Sequence, residues 1–129
     1  MLFMKDIGIL FSGLIVSLGM LVGCTKAGAG GKAIINGHVK HHEISIPGSI
    51  VYLKYGAVEF PGSDVSTYDE NTLASSGDGH YEFKELKKGN YYIYGVGFDS
   101  TISAGVVGGV PIKIKNKTES IEINVPVAE

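Results

Sequence analysis

The sequence contains no arginine: all eleven of its basic residues are lysine, set against thirteen acidic ones. Without guanidinium groups the chain lacks the usual bidentate clamp for carboxylates and phosphates, which argues against an active site built to recognise an anion. The net charge of −2 argues against nucleic acid, which demands a basic face. Cys24 is the single cysteine, so an intrachain disulfide is excluded. No Gly-rich phosphate loop, Ser-His-Asp set or Cys-x-x-Cys occurs. Runs of strong helix formers are also missing after residue 23, whereas nineteen glycines, seven tyrosines and many Ile and Val favour an all-β chain.

The N-terminal segment has a different composition. Lys5 stands before an apolar run from Ile7 to Val22 that is interrupted only by small or hydroxyl residues, and Met4 offers an alternative start. Those sixteen residues fall short of the roughly 20 that a membrane-spanning helix takes. They lead into Leu21-Val22-Gly23-Cys24, which resembles the lipobox of bacterial lipoproteins. The resemblance implies that residues 1–23 are a cleaved signal peptide and that Cys24 carries a diacylglycerol and acyl (palmitate-type) anchor, which makes the membrane a partner. No acidic residue follows Cys24 directly, so the resemblance places the protein in the cell envelope, at the outer membrane if the source is Gram-negative. Residues 24–32, rich in Gly, Ala and Lys, read as a lipidated cysteine and flexible tether, with the folded domain spanning 33–129.

Within that domain the periodicity is two. Ile35, Gly37 and Val39 share one face and Asn36, His38 and Lys40 the other; after Pro47-Gly48, Val51 and Leu53 oppose Ile50, Tyr52 and Lys54. The stretch 55–71 reads as a long loop. From Thr72 to Val96 three strand patterns are divided by Gly77-Asp78-Gly79 and Lys87-Lys88-Gly89-Asn90, both expected as tight reversals. Tyr81, Phe83, Leu86, Tyr91 and Ile93 are the expected core positions. Pro111 is expected at the start of a strand. Ile112 and Ile114, then Ile121, Ile123 and Val125, suggest a second hairpin around Asn116-Lys117-Thr118, with the lysines of one arm facing Glu122. Seven or so strands without a helix amount to a sandwich.

The order Ile35-x-Gly37-x-Val39, Pro47-Gly48-x-x-Val51-x-Leu53, Ser76-x-Asp78-Gly79-x-Tyr81-x-Phe83-x-x-Leu86-x-x-Gly89-x-Tyr91-x-Ile93 and Gly97-Phe98 resembles the carboxypeptidase regulatory-like domain and the collagen-adhesin B-type repeats. The resemblance implies a seven-stranded Greek-key, prealbumin-like (transthyretin-like) β-sandwich over 33–127. In adhesin repeats a Lys-to-Asn isopeptide bond is assisted by a buried acid. Lys40 and Asn124 are the available pair, but Gly95 stands at the acid's position and Lys40 falls on the outward face. Hydroxyisourate hydrolase, a further relative of this fold, needs arginine and a C-terminal Tyr-Arg-Gly-Ser that this chain lacks. The expectation is therefore a non-enzyme without cofactor: a lipid-anchored binding or structural module with an envelope protein or glycan as partner, or alternatively a subunit of an envelope-assembly or secretion machine.

Two groups of residues are candidate sites. Tyr52, Tyr92 and Tyr94 lie opposite the inferred core and form a candidate aromatic binding surface, the competing expectation being that they pack under the 55–71 loop. His38, His41 and His42 lie within five residues and are weak candidates for Zn²⁺ or Cu²⁺ and a small metal-dependent activity. On an extended strand His38 and His42 would be about 13 Å apart, so polar residues at an exposed strand end are the plainer reading.

Overall fold

A computed structural model describes residues 26–129; the expected signal peptide over 1–23 and the expected lipidation site Cys24 lie outside the described residues. The alternation around Ile35 and Val39 becomes strand β1 (Ala29–His41), whose odd positions from Ala33 to His41 are buried. The chain continues through β2 (Ile44–Ser45), β3 (Ile50–Tyr55), a 3-10 turn (Val65–Thr67), β4 (Glu70–Leu73), β5 (His80–Leu86), β6 (Gly89–Asp99), β7 (Ala104–Ile114), β8 (Ser120–Glu122) and β9 (Val125–Pro126). The fold is all-β, with two sheets packed as a sandwich. In one, β1 pairs with β2 and β5 antiparallel and with β8 and β9 parallel; the other runs β4-β3-β6-β7. Nine strand segments replace the expected seven, since the edges are built from pieces two or three residues long. Among the described residues no helix is long and apolar enough to cross a membrane.

The sheets meet on the expected apolar set. Ile35, Val39, Val51, Leu53, Tyr81, Phe83, Leu86, Tyr91 and Ile93 are all at most 3% exposed, and burying each such side chain contributes roughly 1.5 to 3 kcal/mol. The connections differ from those expected. Gly77-Asp78-Gly79 and Lys87-Lys88 do reverse the chain, but each carries it from one sheet to the other rather than closing a hairpin. Gly79 (φ +74°) and Gly89 (φ +142°) supply backbone angles that other residues resist.

The second hairpin does not form. After Ile114 the chain leaves the four-stranded sheet, and Ser120, Ile121 and Glu122 lie parallel to Ile34, Ile35 and Asn36. Lys113 and Glu122 thus belong to different sheets: the two alternating patterns share a period but bury opposite walls of the core. Pro111 sits inside β7 rather than at its start. It is tolerated because β7 is an edge strand, where a missing N–H costs no ladder bond.

The expected tether is partly folded. β1 starts at Ala29, and Gly28 before it is already fastened: Tyr91 Oη accepts from Gly28 N (2.9 Å) and Lys87 N donates to Gly28 O (2.8 Å). Ala29 and Ala33 both lie opposite Leu86, so Gly30-Gly31-Lys32 forms a bulge, with Gly31 packed directly against the Leu86–Lys87 backbone. The small residues here serve close approach, which composition alone does not distinguish from flexibility.

Candidate functional site

Alternation along the four-stranded sheet sends Ile50, Tyr52 and Lys54 of β3 and Tyr92, Tyr94, Val96 and Phe98 of β6 to its outer face. The cross-strand register then sorts this face into rows. Tyr52 pairs with Tyr94, Lys54 with Tyr92, and Ile50 lies between Leu73 and Val96, with Val107 beyond.

Half of the face is roofed. Tyr92 and Tyr94 are only 8% and 5% exposed, which corrects the expectation that they form an open aromatic surface with Tyr52. The loop of residues 56–69 folds back over them. Phe60 places its ring 5.9 Å from Tyr92 and 5.3 Å from Tyr94, and Tyr68 stacks on Tyr94 at 5.7 Å and lies 5.8 Å from Tyr52. Such pairs contribute about 0.5 to 1.5 kcal/mol beyond their area. The loop is held down by Lys54 Nζ donating to Thr67 O (2.7 Å), by Tyr55 N donating to Asp69 Oδ2 (2.7 Å) and by Tyr68 Oη donating to Gly62 O (2.8 Å). Burial, reinforced by its tyrosine neighbours, pushes the Tyr68 hydroxyl up to about 12. Gly109 makes room for the Tyr92 ring that lies across it.

The other half is bare. Leu73 is 68% exposed, Phe98 59%, Val107 45% and Ile50 40%. This strip ends at a cleft of about 340 Å³ between β2 and the β6–β7 turn, walled by Ile44, Pro47, Phe98 and Thr101. Sequence reasoning found the face but selected its covered tyrosines. The exposed aliphatics become visible only once the register of four strands is known.

The three histidines do not converge. His38 points outward, 3.5 Å from Asp78 and edge-on to His80. His41 points inward and is 6% exposed, and His42 turns the chain with φ +56° and lies over the His41 ring at 4.4 Å. Among the described residues no group of three or more His, Cys, Asp or Glu is placed to hold a metal ion. The plainer reading also needs correction at His41, which is buried because the inner-face alternation of β1 runs to its last residue.

His41 instead bonds a carboxylate 58 residues away: its Nδ1 lies 2.8 Å from Asp99 Oδ2. This hydrogen bond from His41, and a second from the Thr101 hydroxyl, hold the Asp99 carboxyl down to about 2. An ionised carboxylate only accepts, so the imidazole proton resides on Nδ1. Because the carboxyl is depressed from its ordinary 3.8, the stabilisation it supplies is complete above that value and disappears as the pH falls through about 2. Thermal melts of the wild type should therefore lose stability between those limits, and Asp99→Asn should flatten that limb relative to wild type; an unchanged acid limb would refute the pairing.

Gly95 lies on the inner face, where a Cβ would come within 3.2 Å of Val125 and 3.6 Å of Val39. No acid fits there, and the Asn124 amide oxygen accepts from His38 N (3.1 Å).

No family model matches the sequence, and no curated protein matches it. In fold it is similar to the crystal structure of a protein from Pseudomonas aeruginosa described as a "putative carbohydrate binding protein", with 13% identity, 78% of this chain and 91% of that one covered, and a TM-score of 0.50. The likeness is one of architecture.

Proposed function

We propose that this chain is a lipid-anchored module of the bacterial cell envelope that binds its ligand without transforming it, on the outer face of the β4-β3-β6-β7 sheet. The bare strip of Leu73, Ile50, Val107 and Phe98 carries the reading, because apolar side chains this exposed on neighbouring positions of one sheet face gain from being covered.

An envelope glycan is the leading ligand class. The fold neighbour is described as a carbohydrate binder, and the exposed rings of Phe98 and Phe60 offer faces on which the C–H side of a sugar stacks. A second reading, docking to a subunit of an envelope assembly, is favoured by the aliphatic character of Leu73, Ile50 and Val107, which suits protein side chains better than sugars. Cosedimentation with isolated cell-wall polysaccharide separates the two. Retention that is lost in Phe98→Ala supports the glycan. Absence of retention, with an envelope protein crosslinked to wild type but not to Leu73→Ser, supports the subunit. Neither result in either variant overturns the surface.

The anchor is tested by mass spectrometry of the membrane-extracted protein. The expected species begins at a lipid-modified Cys24. A mature chain with an unmodified Cys24, or one that retains residues 1–23, would overturn this part of the proposal.

A further inference from the structure

The lysines are not spread evenly over the sandwich. Lys26, Lys32, Lys87 and Lys88 surround the point where the chain enters the fold, and Lys113, Lys115 and Lys117 project from the end of β7 and the turn after it. All seven are exposed. Four of them, Lys32, Lys87, Lys88 and Lys117, line a cleft of about 420 Å³ beside the β1 bulge. Among the described residues none of the seven has a carboxylate within ion-pair distance, the pairs formed being His38–Asp78, His41–Asp99, Lys54–Asp69 and Lys84–Glu82.

The carboxylates in the same turns are few. Glu85 ends the outward run of β5, and Glu119 Oε1 accepts from Lys115 N. Beside the chain entry, where the Tyr55 ring packs against Tyr91 and Gly28, Glu70 takes the Tyr55 hydroxyl, and Asp69 takes the Lys54 ammonium, so both acids already have partners of their own. At the opposite end Glu43, Asp78 and Asp99 are accompanied by Lys40 alone. The molecule therefore carries a basic end and an acidic end, although its net charge is close to zero.

The basic end is also the end nearest the anchor. Lys26 follows Cys24 by two residues, a span of at most about 7 Å when fully extended. Gly28 is already bonded into the fold through Tyr91, so little chain remains to lift the domain away. The four residues from Cys24 to Gly28 reach at most about 14 Å when fully extended, less than two screening lengths of about 8 Å at physiological salt, so charge at the base is felt at the membrane surface.

We propose that the lysine-rich end is a seat for anionic phospholipid headgroups, which stands the sandwich upright on its membrane and presents the opposite tip and the bare sheet face outward. Lysine suffices for this task. A headgroup layer presents diffuse negative charge, which point charges attract without the bidentate geometry that only arginine supplies. The inference rests on the lipid-anchor reading.

The test uses the membrane-extracted mature protein reconstituted into vesicles of phosphatidylglycerol with phosphatidylcholine, or of phosphatidylcholine alone. Each lysine's acylation rate is read by peptide mass spectrometry. In anionic vesicles Lys87, Lys88, Lys115 and Lys117 should react several-fold more slowly than in detergent, while Lys84 and Lys40 are unchanged. Protection should fall in neutral vesicles and at 1 M salt, where screening shortens to about 3 Å. Lys87→Glu/Lys88→Glu/Lys117→Glu should expose the remaining basal lysines while keeping the wild-type melting temperature. Basal lysines that react like Lys84 in anionic vesicles, or protection that is equal in neutral ones, overturn the seat. A chain that fails to float with either vesicle overturns the anchor reading together with it.

Discussion

Tyr91→Ala should cost the domain about 3 to 5 kcal/mol, the range for removing a large buried ring, and Tyr91→Phe about 1 to 3 through the groups its hydroxyl leaves unpaired. The ring is fully buried, packs edge-on to Tyr55 at 5.9 Å, and lies where β6 enters the core. Its hydroxyl donates to Lys87 O (2.6 Å) and accepts from Gly28 N (2.9 Å). One side chain therefore ties the first folded residues to the β5–β6 crossing. Chemical denaturation should show the alanine loss as a shift in midpoint. For the phenylalanine variant, hydrogen exchange should rise first at Gly28 and its neighbours, with the far end of the sandwich unaffected. A Phe variant as stable and as protected as wild type would show that these bonds carry no weight.

Gly37→Ala should destabilise the fold by about 3 kcal/mol or more, at or beyond the upper end for overpacking, because its added methyl meets backbone rather than a movable side chain. A Cβ at Gly37 would sit on the Ile123 carbonyl. That carbonyl is fixed from two sides, by Tyr81 Oη donating to it (2.6 Å) and by Ile123 N donating to Asn36 O (2.8 Å). Relief requires the segment between β8 and β9 to lift off β1. The expected result is a lower melting temperature accompanied by loss of exchange protection at Ile123 and Val125. By contrast Gly48→Ala, where a Cβ would meet nothing within 4 Å, should cost only the strain of φ +72°. A Gly37→Ala protein as stable as wild type would refute the close crossing.

The core was legible in the sequence because a strand's period of two is a local property. Tyr81, Phe83, Leu86, Tyr91 and Ile93 declare their face by their neighbours, and each is buried where expected. Sheet membership is not local. Ile112–Ile114 and Ile121–Val125 look like two arms of one hairpin, yet a short turn between strands can equally step from one sheet to the other, and only the partner strand β1 decides which occurs. The same limit hid the His41–Asp99 bond, whose members are joined through the tip of the sandwich and lie far apart in sequence.

The candidate surface was half legible for a related reason. Alternation correctly assigned Tyr92 and Tyr94 to the outer face, but whether an outer face is bare depends on what folds over it. Asp64 capping the 3-10 turn by accepting from Ser66 N, and Asp69 bonding back to Tyr55, bring Phe60 and Tyr68 down as a lid. The stretch 55–71, read as a long loop, is thus largely an ordered cover.

The last residues of the chain have an effect on its sociability. Val127 N donates to Lys40 O of β1, and Ala128 exchanges both of its backbone bonds with Val107 of β7, so the terminus is stitched across the two sheets along an edge that would otherwise be open. Four positions further along the same edge Pro111 has no N–H to offer. A second copy sliding up to β7 finds one rung occupied and another absent, and the ladder that would let copies add strand to strand is interrupted before it begins. Strand addition through the β7 edge is thereby disfavoured.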